Sequence, residues 1–313
     1  MSDSNLSTFK YWIETTAGET PNAPGQILRT TGGMVLPQQD TEESGELRPD
    51  LRRAGIVRVG QMVQGSGIPF ELSYDTFNDI FRGMLLADWQ ADTPAVGSER
   101  LEDDTDDVTF TFEAEMLGMT TPVYIGGRGC IITGLNLSIA TQAIVTGTFD
   151  FVGRLPYQAT TPGGDGTTAA TTTQQFNSTD LVEEISVGGS PASDMVGMEI
   201  SISRGSPDPK WTIGNLNPQG FQKSSLNVQV SVERYFEDNS FLESYLAFGE
   251  RQLGVTFADE ATNNLVLNFP RALPDDGYDL SRGRDEFALE SVPFVGEGDD
   301  TTPMVQITKT DAT

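Results

Sequence analysis

The sequence contains no histidine, a single cysteine, and only 19 lysines and arginines against 46 aspartates and glutamates. Each shortage closes off a class of chemistry. Without imidazole there is no Ser-His-Asp or Cys-His nucleophilic system and no histidine metal ligand. Cys130 has no CxxC partner, which removes zinc and dithiol readings, and one cysteine makes no internal disulfide. Beside Ile131 and Ile132 it reads as a small buried hydrophobe. A formal charge of −27 repels phosphate, so sequence-independent nucleic-acid binding and adhesion to anionic membranes are both disfavoured. No apolar run approaches the ~20 residues of a membrane span. The opening residues, MSDSNLSTFKYW, lack a basic stretch followed by an apolar one, so no signal peptide is expected and the chain is expected to stay in the cytoplasm that makes it.

Phosphate and metal motifs are equally scarce. No GxxxxGK[ST] occurs, and the glycine-rich GGRG at 126–129 reads as a turn. The acidic runs DDTDD (103–107) and DDGYD (275–279) lack the closing Glu of a calcium loop and read as solvated charge. Nothing places two carboxylates in one cleft. No catalytic residue, cofactor or metal ligand is assigned, and no enzymatic activity is expected.

What the chain does have is two-faced strands. Residues 224–248, SSLNVQVSVERYFEDNSFLESYLAF, alternate up to Val232 and then take a helical spacing. Leu226, Val228, Val230 and Val232 share one face; Asn227, Gln229, Ser231 and Glu233 share the other. Asn239 or Ser240 caps a short helix carrying Phe241, Leu242, Tyr245 and Leu246. Residues 67–88 follow the same order. Phe70, Leu72 and Tyr74 form a strand face, Asp75 is the expected cap, and Phe77, Ile80, Phe81, Met84 and Leu85 make a helical stripe. This recurrence suggests an internal duplication.

Further strands are expected at 27–31, 108–116, 131–139, 144–152, 198–202, 253–257, 264–269 (closed by Pro270), 285–295 and 303–309. At 108–116, Val108, Phe110, Phe112, Ala114 and Met116 alternate with Thr109, Thr111, Glu113 and Glu115, which gives a half-buried strand. Residues 1–25 read as an extended arm. Residues 34–56 form a long loop or irregular hairpin holding Glu46, Arg48, Arg52 and Arg53, a local basic cluster in an acidic protein. Residues 155–179, rich in Thr and Gly, read as a linker or surface loop. The expected architecture is mainly β: two barrel or sandwich domains at 26–154 and 180–313, each flanked by one short α-helix.

Several segments in this order resemble the tail tube, or major tail, proteins of long-tailed bacteriophages. They are GELRPDLRRAG (45–55), GIPFELSYDTFNDIFRGML (67–85), GLNLSIATQAIVTGTFDFVG (134–153), IGNLNPQGFQKSSLNVQVSVERYFEDNSFLESYLAFGE (213–250) and NLVLNFPRALP (264–274). The Thr-rich insert and the low charge depart from the family's pattern. The resemblance implies a virion protein that self-assembles into stacked rings, making a hollow tube through which DNA passes. It implies rings of six, or of three when the domain is duplicated, and contacts with neighbouring tail proteins (tape measure, terminator, distal tail). On that reading Asn227, Gln229, Ser231 and Glu233 are lumen candidates, and Thr109, Thr111, Glu113 and Glu115 weaker ones. Glu46, Arg48, Arg52 and Arg53 are candidates for ring-to-ring stacking. The competing expectations are another virion β protein, such as a terminator or decoration protein, and an acidic secreted enzyme or adhesin.

Overall fold

The computed structural model describes residues 7–46, 55–179, 181–205, 207–284 and 287–311. The first half contributes β1 (Ser7–Ile13), β2 (Gly25–Leu28), the paired strands β3 (Leu36–Glu43) and β4 (Ile56–Glu71), and helix α1 (Asn78–Leu85). It continues with β5 (Gln90–Ala91), β6 (Ser98–Glu102), β7 (Phe110–Met116), β8 (Val123–Ala140), β9 (Thr146–Gly153), β10 (Leu155–Ala159) and β11 (Thr167–Thr168). The second half contributes β12 (Val182–Val187), β13 (Ser190–Pro191), β14 (Met195–Ser203), β15 (Asn227–Tyr235) and helix α2 (Ser240–Leu246). It ends with β16 (Arg251–Ala258), β17 (Asn264–Pro274), β18 (Asp279–Ser281), β19 (Leu289–Gly296) and β20 (Gln306–Thr310). The protein is mainly β and its sheet does not close into a barrel, so the architecture is a sandwich.

The two halves repeat one pairing scheme. In the first, β2–β1–β7–β8 and β3–β4–β9–β8 are antiparallel neighbours, and β10 adds to β8. In the second, β13–β12–β16–β17 and β14–β15–β19–β17 are antiparallel neighbours, and β20 adds to β17. The register repeats as well. Gln64 faces Val152 and Gly65 faces Phe151; Gln229 faces Val295 and Val230 faces Phe294. Gln64-Gly65 therefore corresponds in pairing to Gln229-Val230, opposite Val152-Phe151 and Val295-Phe294. A bulge falls at the same place in both, between Phe110 and Phe112 and between Arg251 and Leu253. Bulges are built features of a fold, so their coincidence supports duplication.

Strand β8 changes sheets along its length. Its first part pairs with β7 and β10, and its second with β9 and β14. GGRG lies inside this strand, which corrects the expected turn. The reason is clearance: a Cβ on Gly126 would lie 2.2 Å from the Tyr157 ring, and one on Gly127 2.4 Å from Val63 Cγ1. Gly129 adds a left-handed residue at φ +62° where the strand bends.

Between the layers lies one continuous core. Phe9 and Phe112 from the back layer meet Phe149 and Phe151 from the front, with Phe112 and Phe151 centroids 4.4 Å apart. Helix α1 packs Ile80, Phe81, Met84 and Leu85 inward, and Phe77 stacks on Phe70 at 4.2 Å. Each buried Phe contributes roughly 2–3 kcal/mol of hydrophobic transfer. Helix α2 buries Phe241 alone, with the Arg234 and Arg251 guanidiniums over its ring at 4.2 and 4.7 Å.

Some expectations are corrected. The N-terminal arm contains β1, whose Phe9, Tyr11 and Trp12 are buried. Asp75 does not cap α1. The helix starts after Phe77 without a side-chain cap, while Asp75 sits at φ 60° and accepts bonds from the Asn78 side-chain Nδ2 and from Lys309 Nζ. Pro270 does not close its strand, because β17 runs on to Pro274. The Thr/Gly-rich stretch is laced to the fold. It holds β10 and β11, Thr173 donates to the Tyr74 carbonyl, and Phe176 is fully buried against Phe257.

Val230, 1% exposed between Ile200 and Phe294, tests the assignment of strand faces. Val230→Asp buries an uncompensated charge, and destabilisation on the order of 3–5 kcal/mol is expected in a denaturant melt. An unchanged midpoint would reverse the faces.

Candidate functional site

The alternation in β15 continues sideways across the sheet, because antiparallel partners share a face. One row runs Glu71, Thr146, Ser138, Glu199, Ser231 and Pro293 across β4, β9, β8, β14, β15 and β19. The next row runs Pro69, Thr148, Asn136, Ser201, Gln229 and Val295. Asp150, Ser203 and Asn227 extend the face at one end, and Glu233 and Ser291 at the other. All are partly or fully open to solvent. The rows of alternate residues behind them, such as Leu135, Leu137, Ile200, Val230 and Phe294, are buried.

This face is concave. Glu71, Asn136, Ser138, Thr146, Thr148, Glu199, Ser201, Gln229 and Ser231 line one hollow of about 730 Å³ with Asp275 and Asp276. No lysine or arginine occurs in these rows, whereas Glu71, Asp150, Glu199 and Glu233 supply carboxylates. The surface therefore offers hydrogen-bonding hydroxyls and amides within a negative field. Of the residues that strand alternation marks as lumen candidates, Asn227, Gln229, Ser231 and Glu233 stand together here.

Thr111, Glu113 and Glu115 do not share an open face, and this corrects the reading of their strand as wet on one side. β7 is covered on both sides: Thr111 and Glu113 have no exposure and Glu115 only 5%. The cover comes from the N-terminal strand and the Thr/Gly-rich stretch. Lys10 and Thr8 bond Glu115. Glu113 accepts from the Tyr157 hydroxyl at 2.8 Å and the Gly163 amide at 3.0 Å. Thr111 donates to Glu14 at 2.7 Å, and half-buried Thr109 donates to the same carboxylate at 2.9 Å. Polar alternation identified the polar side of β7 without revealing that another segment roofs it.

The basic cluster is only partly placed. Arg48, Arg52 and Arg53 lie outside the described residues. Glu46 is exposed, and its amide donates to the Ser44 hydroxyl at 3.3 Å. Elsewhere the buried Arg234 guanidinium pairs with buried Glu290 (2.5 Å), with Asp194 (2.7 Å) and with exposed Asp238 (3.0 Å), which ties β15 to β19 and to the start of α2. Tyr278 donates to the same Glu290, and burial together with that bond pushes its phenol up to about 12. Among the described residues, no set of acidic or thiol side chains converges as a metal site, and no helix is long and apolar enough to cross a membrane.

The chain is thus a mainly β sandwich with one broad hydrophilic sheet face. The family model for phage tail tube protein matches residues 4–308, and the chain belongs to that family. No curated protein matches it.

Burial raises the Glu113 carboxyl above its ordinary range, against the opposing bonds from Tyr157 and Gly163. A raised native value means that its contribution to stability is full in acid and is lost as pH rises through that value. Glu113→Gln is expected to gain stability relative to the wild type as pH climbs from about 4.3, the unperturbed glutamate value. Thermal melts across roughly pH 4–8 check this; parallel curves for the two proteins would refute it.

Proposed function

We propose that the chain is the subunit of a phage tail tube, in which the concave polar face lines the bore. The observation that carries this reading is the uninterrupted row structure from β4 to β19, with carboxylates, amides and hydroxyls and no cationic side chain. A DNA duplex moving along such a wall meets like charge and neutral polar groups, so it passes without lasting contacts. The membership of the tail tube family supports the role, and the repeated pairing scheme supports a ring of three chains with six repeats. On this reading the sequence is two fused tail-tube-like units, and rings stack into a tube that joins the neighbouring tail proteins of the virion. Stacking is assigned to the segment holding Glu46, Arg48, Arg52 and Arg53, whose cations meet acidic groups on the next ring.

Cryo-electron microscopy of the purified protein tests the proposal. Hollow tubes with threefold symmetry and Asn227, Gln229, Ser231 and Glu233 on the bore are expected. Closed rings that never stack would favour a terminator-like role, and a strict monomer would defeat the reading. Arg52→Glu combined with Arg53→Glu is expected to leave rings and abolish tubes; full-length tubes from this variant would place stacking elsewhere.

A further inference from the structure

The junction between the two repeats is visible within one chain, so it can be compared with the free ends of the same chain. At the junction β14 pairs with β8, with Ser201 opposite Asn136, Ile200 opposite Leu137 and Glu199 opposite Ser138. Beside it, Arg204 donates to the carbonyls of Met84 and Leu85 at 2.8 and 3.1 Å, closing the C-terminal end of α1. Lys223 from the same segment pairs with Asp107 at 2.7 Å. Leu85, Leu86 and Ala87 are buried there, and Leu137 is 2% exposed.

The second repeat carries the same features without a neighbour. At the end of α2, Leu246 is 75% and Phe248 63% exposed. The counterpart of Leu137 follows from register: Leu137 faces Gly147 on β9 as Leu280 faces Glu290 on β19. Leu280 is 40% exposed. At the other end of the chain, among the described residues, β3 pairs with β4 alone. Leu36 faces Gln64 as Ser201 faces Gln229, so β3 is the counterpart of β14. Its hairpin exposes Leu36, Ile56, Val57 and Val59.

We propose that the exposed end of the second repeat, formed by Leu246, Phe248 and Leu280, is the docking surface for the β3–β4 stem of a second copy. The inference rests on the tube reading and adds the residues that meet. The partner is argued from the chain itself. Apolar groups covered at the internal junction are bare at one end, and the counterpart of the covering strand is bare at the other. Such a contact joins unlike surfaces head to tail, which generates closed rings when the rotation closes. The internal register then sets the external one: Leu36 of one copy lies opposite Asp279 of the next, as Ser201 lies opposite Asn136. The residue pair follows because Asn136 faces Thr148 on β9 as Asp279 faces Ser291 on β19.

The test is a chain carrying both Leu36→Cys and Asp279→Cys, assembled under mild oxidation after the wild type has been imaged. Directly opposed residues in antiparallel strands lie within disulfide reach, and Cys130 is buried and free. A ladder of covalent multimers on a non-reducing gel, absent from either single variant, is the expected result. Leu246→Glu with Phe248→Glu is expected to give a folded monomer with an unchanged circular dichroism spectrum. Rings that form from the double-cysteine chain without cross-linking would overturn the proposed docking alone. A wild type that forms no ring at all would overturn the tube reading, and the docking with it.

Discussion

The backbone pairing of β8 with β14 is the constraint on which the structure depends. Without it the halves would be two sandwiches on a tether, with exposed edges and separate hydrophilic surfaces. With it, the rows begun on β4 continue to β19 and the apolar layer behind them becomes one core. The two halves are also held elsewhere. Arg204, which follows β14, reaches the α1 carbonyls, and the Thr/Gly-rich stretch buries Phe176 against Phe257 of β16. Antiparallel edges left open invite pairing with another chain, so the fold satisfies one such edge internally and presents others.

The division of labour among carboxylates follows from the same architecture. Glu71, Glu199 and Glu233 stand on the wet face, where water screens their charge. Glu113, Glu115 and Glu290 lie inside, and each has named donors: Tyr157 and Gly163, Lys10 and Thr8, Arg234 and Tyr278. Buried charges persist only with such partners. An acidic composition thus serves two ends, a repulsive field outside and polar staples within.

Strand phase was legible in the sequence where one face is covered by the chain's own core. Val228, Val230 and Val232 announce their side of β15, and Asn227, Gln229, Ser231 and Glu233 announce the other. The same logic failed on β7, because period-two alternation distinguishes polar from apolar sides and carries no information about a roof supplied from far along the chain, as by Tyr157 over Glu113, 44 residues earlier. The roof itself was hard to read, since its few large anchors, Tyr157 and Phe176, are diluted among small residues. GGRG read as a turn because glycine usually marks one. Here close passage of Tyr157 and Val63 demands it inside a strand. The likeness of the two halves was faint for a related reason: Gln64-Gly65 and Gln229-Val230 correspond only once β9 and β19 fix the register.

Carrying both halves on one polypeptide would also change the kinetics of the proposed assembly. The β8–β14 joint is made within one chain, so its formation is intramolecular and does not depend on protein concentration. In the proposed ring, alternate seams would therefore be independent of dilution, and only the remaining seams would need diffusional encounter. The halves are also free to diverge: one keeps the β3–β4 hairpin with Leu36, Ile56, Val57 and Val59 exposed, the other a bare helix end at Leu246 and Phe248, and in the proposed ring this difference would give each molecule a fixed polarity.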